Sequence, residues 1–257
     1  MSVRCWYVFF LLLGLQVPPF SAPLSANEDV LWKNLRPSKD IEMLVLDDFE
    51  ERVRWSLANS LAIESSLRFV DNSPLENDLR SYPDKKRQAL YNREIEALAD
   101  SAKIHGRVFS KSQRSSQELI VFFSNPGNDY QAIEIPQKDR RFITGRPVAI
   151  SVWVFGKNKR HVLYALFSNQ VAQKIPVKIG DLNFQGWKRL EVAVPITVSH
   201  RNRLNHKVLE FRFDGFKVVS HPNETVGSFS FLHDLVCVLV DTRGAAYAGS
   251  KIEDHWE

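Results

Sequence analysis

The chain has 257 residues, 44% of them hydrophobic and 25% charged, which suffices for one large domain or two small ones and excludes wholesale disorder. Lys and Arg number 34 against 30 Asp and Glu, a net charge of +4 whose interspersed signs do not announce a nucleic-acid binder. Two cysteines, Cys5 and Cys237, exclude a disulfide-stapled mini-domain and any four-cysteine zinc site, and 11 glycines exclude collagenous and glycine-loop architectures.

Residues 1–26 read as a secretory signal peptide. Arg4 supplies the positive start, Trp6 to Leu15 form an apolar stretch too short to span a bilayer, and Pro18 and Pro19 break it. Cleavage falls after Ala26, with Ala22 as the alternative. Cys5 leaves with this leader, and Cys237, inside the apolar run LVCVLV, reads as a buried, inert thiol. Residues 27–42 form an N-terminal extension, 43–241 a single domain and 242–257 a tail. Trp32 and Trp256 are unusual in such ends.

Between those ends the chain is mostly strand. Runs rich in β-branched and aromatic residues, spaced by turn formers, occur at 43–49, 66–70, 106–109, 118–123, 130–135, 148–155, 161–168, 174–180 and 188–195. Two hairpins follow, 207–213 with 215–220, and 227–232 with 235–241. In VAISVWVF, Val148, Ile150, Val152 and Val154 face one way while Ala149, Ser151, Trp153 and Phe155 face the other. In KRLEVAVP, Leu190, Val192 and Val194 oppose Arg189, Glu191 and Ala193; Leu209, Phe211 and Phe213 oppose Glu210 and Arg212. Period-two patterning with one wet face predicts antiparallel sheets, and ten or more such strands predict an all-β, two-sheet sandwich. One segment departs from this. Residues 83–104 carry Ala89, Ile95, Leu98, Ala99 and Ala102 at helical spacing, which predicts an inserted amphipathic helix with Asp84 in its first turn. Its outer face holds Lys85, Lys86, Arg87, Arg93 and Glu96, a solvated face or a docking surface.

Catalytic signatures are missing from the sequence. It contains no G-x-S-x-G, H-E-x-x-H, P-loop, EF-hand loop or G-x-G-x-x-G. His200 and His206 share a loop with Arg201, Arg203 and Lys207, at a spacing that fits no common zinc site. Asp47, Asp48 and Glu50 end the first strand and Asp234 lies in the last hairpin, where three readings stand: turn and cap chemistry, a calcium site, or a glycosidase carboxylate pair. Trp55, Trp153 and Trp187 are either core or a sugar-stacking platform. The turn after VAISVWVF is basic, with Lys157, Lys159 and Arg160, and is either a solvated turn or a rim contact for an acidic surface.

Three stretches carry a resemblance: ISVWVFGKNKRHVLYALFS (150–168), VKIGDLNFQGWKRLEVAVP (177–195) and VLEFRFDGFKVVSHPNETVGSFSFLHDLVCVLVD (208–241). Together they resemble the spirochaetal periplasmic flagellar filament sheath proteins of the FlaA family. VLDDFEERVRW (45–55) resembles the opening strand of jelly-roll carbohydrate-binding modules. The resemblance implies a jelly-roll-like sandwich, secreted to the periplasm, that catalyses nothing and needs no cofactor or metal. It implies a structural subunit coating the flagellin core and contributing to filament stiffness, curvature and motility. Its partners are then flagellin core subunits and other sheath proteins in a helical hetero-assembly, with no nucleic acid and no membrane span. Lys157, Lys159 and Arg160 in the turn, with Lys85, Lys86 and Arg93 on the helix, are the partner-contact residues expected. The alternative is a periplasmic glycan-binding module.

Overall fold

A computed structural model describes residues 41–49, 55–71, 74, 75, 78, 85–104, 115–140, 142–169, 172–201, 204 and 209–243. The leader, most of both tails, the strand expected at 106–109, and Glu50, Asp84, Arg87, Arg203, His206 and Lys207 lie outside the described residues or side chains. Two antiparallel sheets form the sandwich. Sheet A orders β10 (Gln185–Ala193), β7 (Arg146–Lys157), β13 (Gly227–Asp241), β4 (Ser116–Phe123) and β3 (Glu64–Val70), with β1 (Ile41–Asp47) also paired to β13. Sheet B orders β2 (Ser56–Ser60), β5 (Tyr130–Glu134), β12 (Leu209–Val219), β8 (Val162–Ser168) and β9 (Lys174–Asp181), with β6 (Ile143–Thr144) and β11 (His200–Arg201) also paired to β12.

The alternation predicted for β7 sorts its side chains as expected. Ile150, Val152 and Val154 enter the inter-sheet core beside Leu119, Val121, Phe167 and Phe231. Each such side chain contributes about 1.5–3 kcal/mol by leaving water. Phe211 and Phe213 of β12 and Leu190 of β10 point into the same core.

Two expected hairpins are single strands. β12 runs through 209–219 with a register shift between Phe213 and Gly215, and β13 through 227–241 with shifts at Asp234/Val236 and Leu239/Val240. Asp-Gly is a strong turn signal, but here it marks a bulge. Gly215 sits at φ +148°, and a Cβ there would lie 2.2 Å from the Ile133 carbonyl oxygen, so only glycine lets β12 pass that close to β5. Three further strands, β2, β6 and β11, went unread because SLANS is polar and the other two are two residues long.

The inserted helix, α1 (Lys85–Ile104), matches the expected span to within two residues. It does not float beside the sandwich: it covers the outer face of sheet A. Tyr91 and Ile95 pack with Trp153, Trp187, Leu235, Cys237 and Leu75 into a second core, edged by Met43, Val45, Phe155 and Leu232. That explains why β7 is buried on both faces, where period two alone implied a wet one. Ala89, expected on the apolar face, is exposed instead.

Candidate functional site

The basic turn between β7 and β8 is built from distant carboxylates. Asn158 takes a left-handed φ of 57° at its tip. Lys157 Nζ lies 3.1 Å from Glu118 Oε1 and also donates to Ser230 Oγ. Lys159 Nζ lies 3.3 Å from Glu224 Oε2, and the Arg160 backbone N–H donates to Glu224 Oε1 at 2.8 Å. Burial pushes the Glu224 carboxyl up, but the Arg160 N–H and the Lys159 ammonium outweigh it and hold the group below the usual carboxylate range. Burial likewise raises Glu118, and Lys157 and Arg68 together bring it below that range. Glu118 and Glu224 sit far from the turn in sequence, so only the fold reveals that Lys157 and Lys159 are partly neutralised. The exposed Arg160 guanidinium has no ion-pair partner among the described residues.

Alternation along β7 puts Trp153, Phe155 and Lys157 on one face, so the turn and α1 share the outer side of sheet A. Lys85 and Arg93 are exposed on the helix; Lys86 lies on it, its side chain outside the described set. The structure therefore brings the two expected cationic groups to one side of the molecule.

Beneath α1 lies a buried polar knot that sequence patterning missed. Glu94, 2% exposed, accepts hydrogen bonds from Ser151 Oγ at 3.1 Å, Trp153 Nε1 at 2.6 Å and Arg189 Nε at 2.8 Å. Arg189 also pairs with Glu191. Burial disfavours the Arg189 charge, but Glu94 and Glu191 more than restore it.

The carboxylates singled out at the first strand do structural work. Asp47 accepts from the Phe49 backbone N–H at 2.7 Å and from Trp55 Nε1 at 3.0 Å, closing a turn in which Phe49 adopts φ 59°. Asp47 and Asp234 are 2% and 0% exposed, out of reach of a polymeric substrate. Among the described residues no group of three or more His, Cys, Asp or Glu side chains is placed to hold a metal. His200 packs edge-on against Phe142.

Of the two readings of the tryptophans, the structure shows the core one. Trp55 is 6% exposed in the main core, stacked on Phe216 at 5.7 Å, while Trp153 and Trp187 lie at 0% and 6% under α1. None presents a ring face to a sugar. Among the described residues, the outer face of sheet B carries Tyr130 and Tyr164, both half-buried, with the Lys217 ammonium 3.8 Å from the Tyr130 ring centroid. One end of that face carries a charged cluster: Arg140 bonds Glu134 at 2.7 Å and Asp214 at 3.3 Å, Arg212 approaches Asp214 at 3.2 Å, and Lys174 pairs with Glu134. Lys174 on β9 and Glu134 on β5 are separated by three interstrand spacings, roughly 14 Å, so their side chains reach across β12 and β8 to meet.

Among the described residues no helix is long and apolar enough to cross a membrane. Comparison with curated proteins finds no match. Among solved structures, the enzymatically active domain of bacteriophage CBA120 tailspike protein 4 is 12% identical with a TM-score of 0.38; the match covers 75% of this chain and only 20% of that one. A carbohydrate-binding module of promiscuous specificity from the β-sandwich superfamily is 7% identical with a TM-score of 0.37, covering 75% of this chain and 60% of its own. The family 11 carbohydrate-binding module from Clostridium thermocellum, in complex with a β-1,3-1,4-mixed-linked tetrasaccharide, is 12% identical with a TM-score of 0.35, covering 76% and 94%. Residues 134–244, which hold β6 to β13 and the centre of both sheets, match the family described as flagellar filament outer layer protein FlaA.

Proposed function

We propose that this chain is a non-catalytic structural subunit of the periplasmic flagellar filament sheath. It is exported by its N-terminal leader, coats the flagellin core beside other sheath proteins, and contributes to filament stiffness, curvature and cell motility. The family match over 134–244 carries the reading. Its chemistry supports it: Asp47, one of the catalytic candidates, caps a turn, Asp234 is fully buried, and the cations of the β7–β8 turn and α1 lie on one side. A sheath subunit works through many weak contacts repeated along a lattice, so a shared cationic side facing acidic neighbours needs no concave site.

Replacing Arg160, Lys85 and Arg93 together by Glu is expected to lower incorporation into isolated filaments several-fold while thermal stability holds, because all three side chains are exposed. Unchanged incorporation removes these residues from the interface. Glycan binding is the second reading, favoured by Tyr130 and Tyr164 on the outer face of sheet B; a peptidoglycan pull-down sensitive to Tyr164→Ala would select it.

A further inference from the structure

The sandwich has two kinds of edge. β9, at one end of sheet B, exposes Lys174, Pro176 and Lys178, the devices by which an edge strand refuses a new neighbour. β3, at the end of the sheet A order, reads ESSLRFV and has no lysine, proline or glycine. It pairs with β4 on one side, and among the described residues no strand pairs with the other. Glu64, Ser66 and Arg68 are exposed along it, while Ser65, Leu67 and Phe69 are half-buried. Leu61 and Ile63, just before the strand, are 58% and 70% exposed.

We propose that β3 is a homotypic docking edge, at which two copies of this chain pair antiparallel about Ser66 and join their A sheets. In that register Ser66 opposes its own counterpart, Glu64 opposes Arg68 of the partner subunit, and Ile63 opposes Phe69 of the partner subunit. Both ion pairs form at once because the edge is self-complementary. The charges extend a row already present. Lys157, Glu118 and Arg68 alternate in sign, with Lys157 at 3.1 Å and Arg68 at 2.5 Å from the Glu118 carboxylate. Glu64 of the partner subunit supplies the next negative charge. The Arg68 side chain is 66% exposed despite its bond to Glu118, so it can take a second carboxylate, and Glu64 has no ion-pair partner among the described residues. Slipping the register by one residue sets Glu64 against Leu67 of the partner subunit and turns the apolar side of one strand to the wet side of the other. Slipping it by four sets like charges opposite each other. The pairing needs only this edge and stands whether or not the chain coats a filament.

Cysteine scanning on the full secreted chain tests it. Directly opposed residues of an antiparallel pair have Cα atoms about 4.5–5.5 Å apart, within the range a disulfide spans. Under copper–phenanthroline oxidation, Ser66→Cys is expected to give a covalent dimer. Glu64→Cys and Arg68→Cys are each expected to stay monomeric alone and to cross-link to one another when mixed. Native Cys237 is buried and does not compete. In sedimentation, Glu64→Lys and Arg68→Glu are each expected to weaken self-association by about tenfold, and mixing the two variants is expected to restore it. Melting temperatures confirm that both remain folded; if Arg68→Glu does not, the cysteine pairs decide alone. A native chain that stays monomeric at millimolar concentration, a Ser66→Cys variant that does not cross-link, or Glu64-dependent association with added flagellin but not with a second copy overturns the proposal.

Discussion

Replacing Glu94 by Ala is expected to cost about 3–5 kcal/mol of stability, the penalty for leaving one partner of a buried ion pair uncompensated. The Arg189 side chain is 6% exposed and would keep Glu191 but lose the Glu94 carboxylate, while Ser151 Oγ and Trp153 Nε1 would lose their acceptor. In a domain of this size that loss lowers the melting temperature by about 6–20 °C. The effect is large because the described apolar contacts of α1 rest on few side chains, Tyr91 and Ile95 foremost, so the knot at Glu94 fixes where the helix lies on sheet A. Removing all three charges with Glu94→Leu, Arg189→Met and Glu191→Leu should recover much of the loss, since the Glu191 carboxylate that pairs with Arg189 then leaves with it and no charge is orphaned. Thermal denaturation followed by near-ultraviolet circular dichroism, which reports on Trp153, measures both. A single-variant loss below about 1 kcal/mol would mean that the knot does not hold the helix.

Acid is expected to unfold this protein through two histidines. His233 is fully buried among Phe49, Trp55, Phe216 and Phe231, and neither ring nitrogen has a hydrogen-bond partner among the described residues. Burial pushes its pKa down to about 3. His161, packed between Phe123 and Phe229, is pushed down to about 4, first by burial, with Glu224 opposing and Lys159 and His221 adding. Both folded values lie below the unfolded value near 6.5, so above that pH neither state is charged and the full stability is present. As pH falls below 6.5, the unfolded chain takes up protons that the folded chain refuses at His161 and His233, and His200, which burial also holds below its ordinary value, adds a share. Stability then drops by about 1.4 kcal/mol per pH unit for each histidine, until about pH 4 for His161 and about pH 3 for His233. Below about pH 5, Glu118, Glu224 and Asp241, whose folded values are lowered, add to the loss. Urea titrations between pH 7.5 and 4.5 should show the drop, and His233→Leu should lower the slope above pH 5 while stabilising the fold at neutral pH by about 1–3 kcal/mol, because it removes an unsatisfied buried group. A flat profile, or one that His233→Leu leaves unchanged, would contradict this assignment.

Period-two patterning was enough to read the central strands and the two-sheet architecture. Ile150, Val152 and Val154 point into the core as the alternation of β7 implies, and the residues that carry the family resemblance lie in the region that the family match covers. Where the strands broke was misread, because Asp-Gly in β12 and His-Asp-Leu in β13 carry turn chemistry that the neighbouring strands convert into bulges. His233 was legible in principle: Phe229, Phe231 and His233 share one face of β13, so a buried histidine followed from the same alternation that buried the phenylalanines. Glu94 was not. It looks like one more charge on a solvated helix, and only the docking of α1 over Ser151, Trp153 and Arg189 makes it an anchor. The same holds for Lys157 and Lys159, whose partners Glu118 and Glu224 are neighbours only in the folded chain.

Periplasmic flagella purified from cells that carry this chain, and analysed by quantitative mass spectrometry, test the central claim most directly. The chain, lacking residues 1–26 or 1–22, is expected to co-purify with flagellin in a fixed ratio, and filaments from cells without it are expected to be thinner in electron micrographs. Flagella that lack the chain, or filaments of unchanged diameter after its deletion, would contradict it.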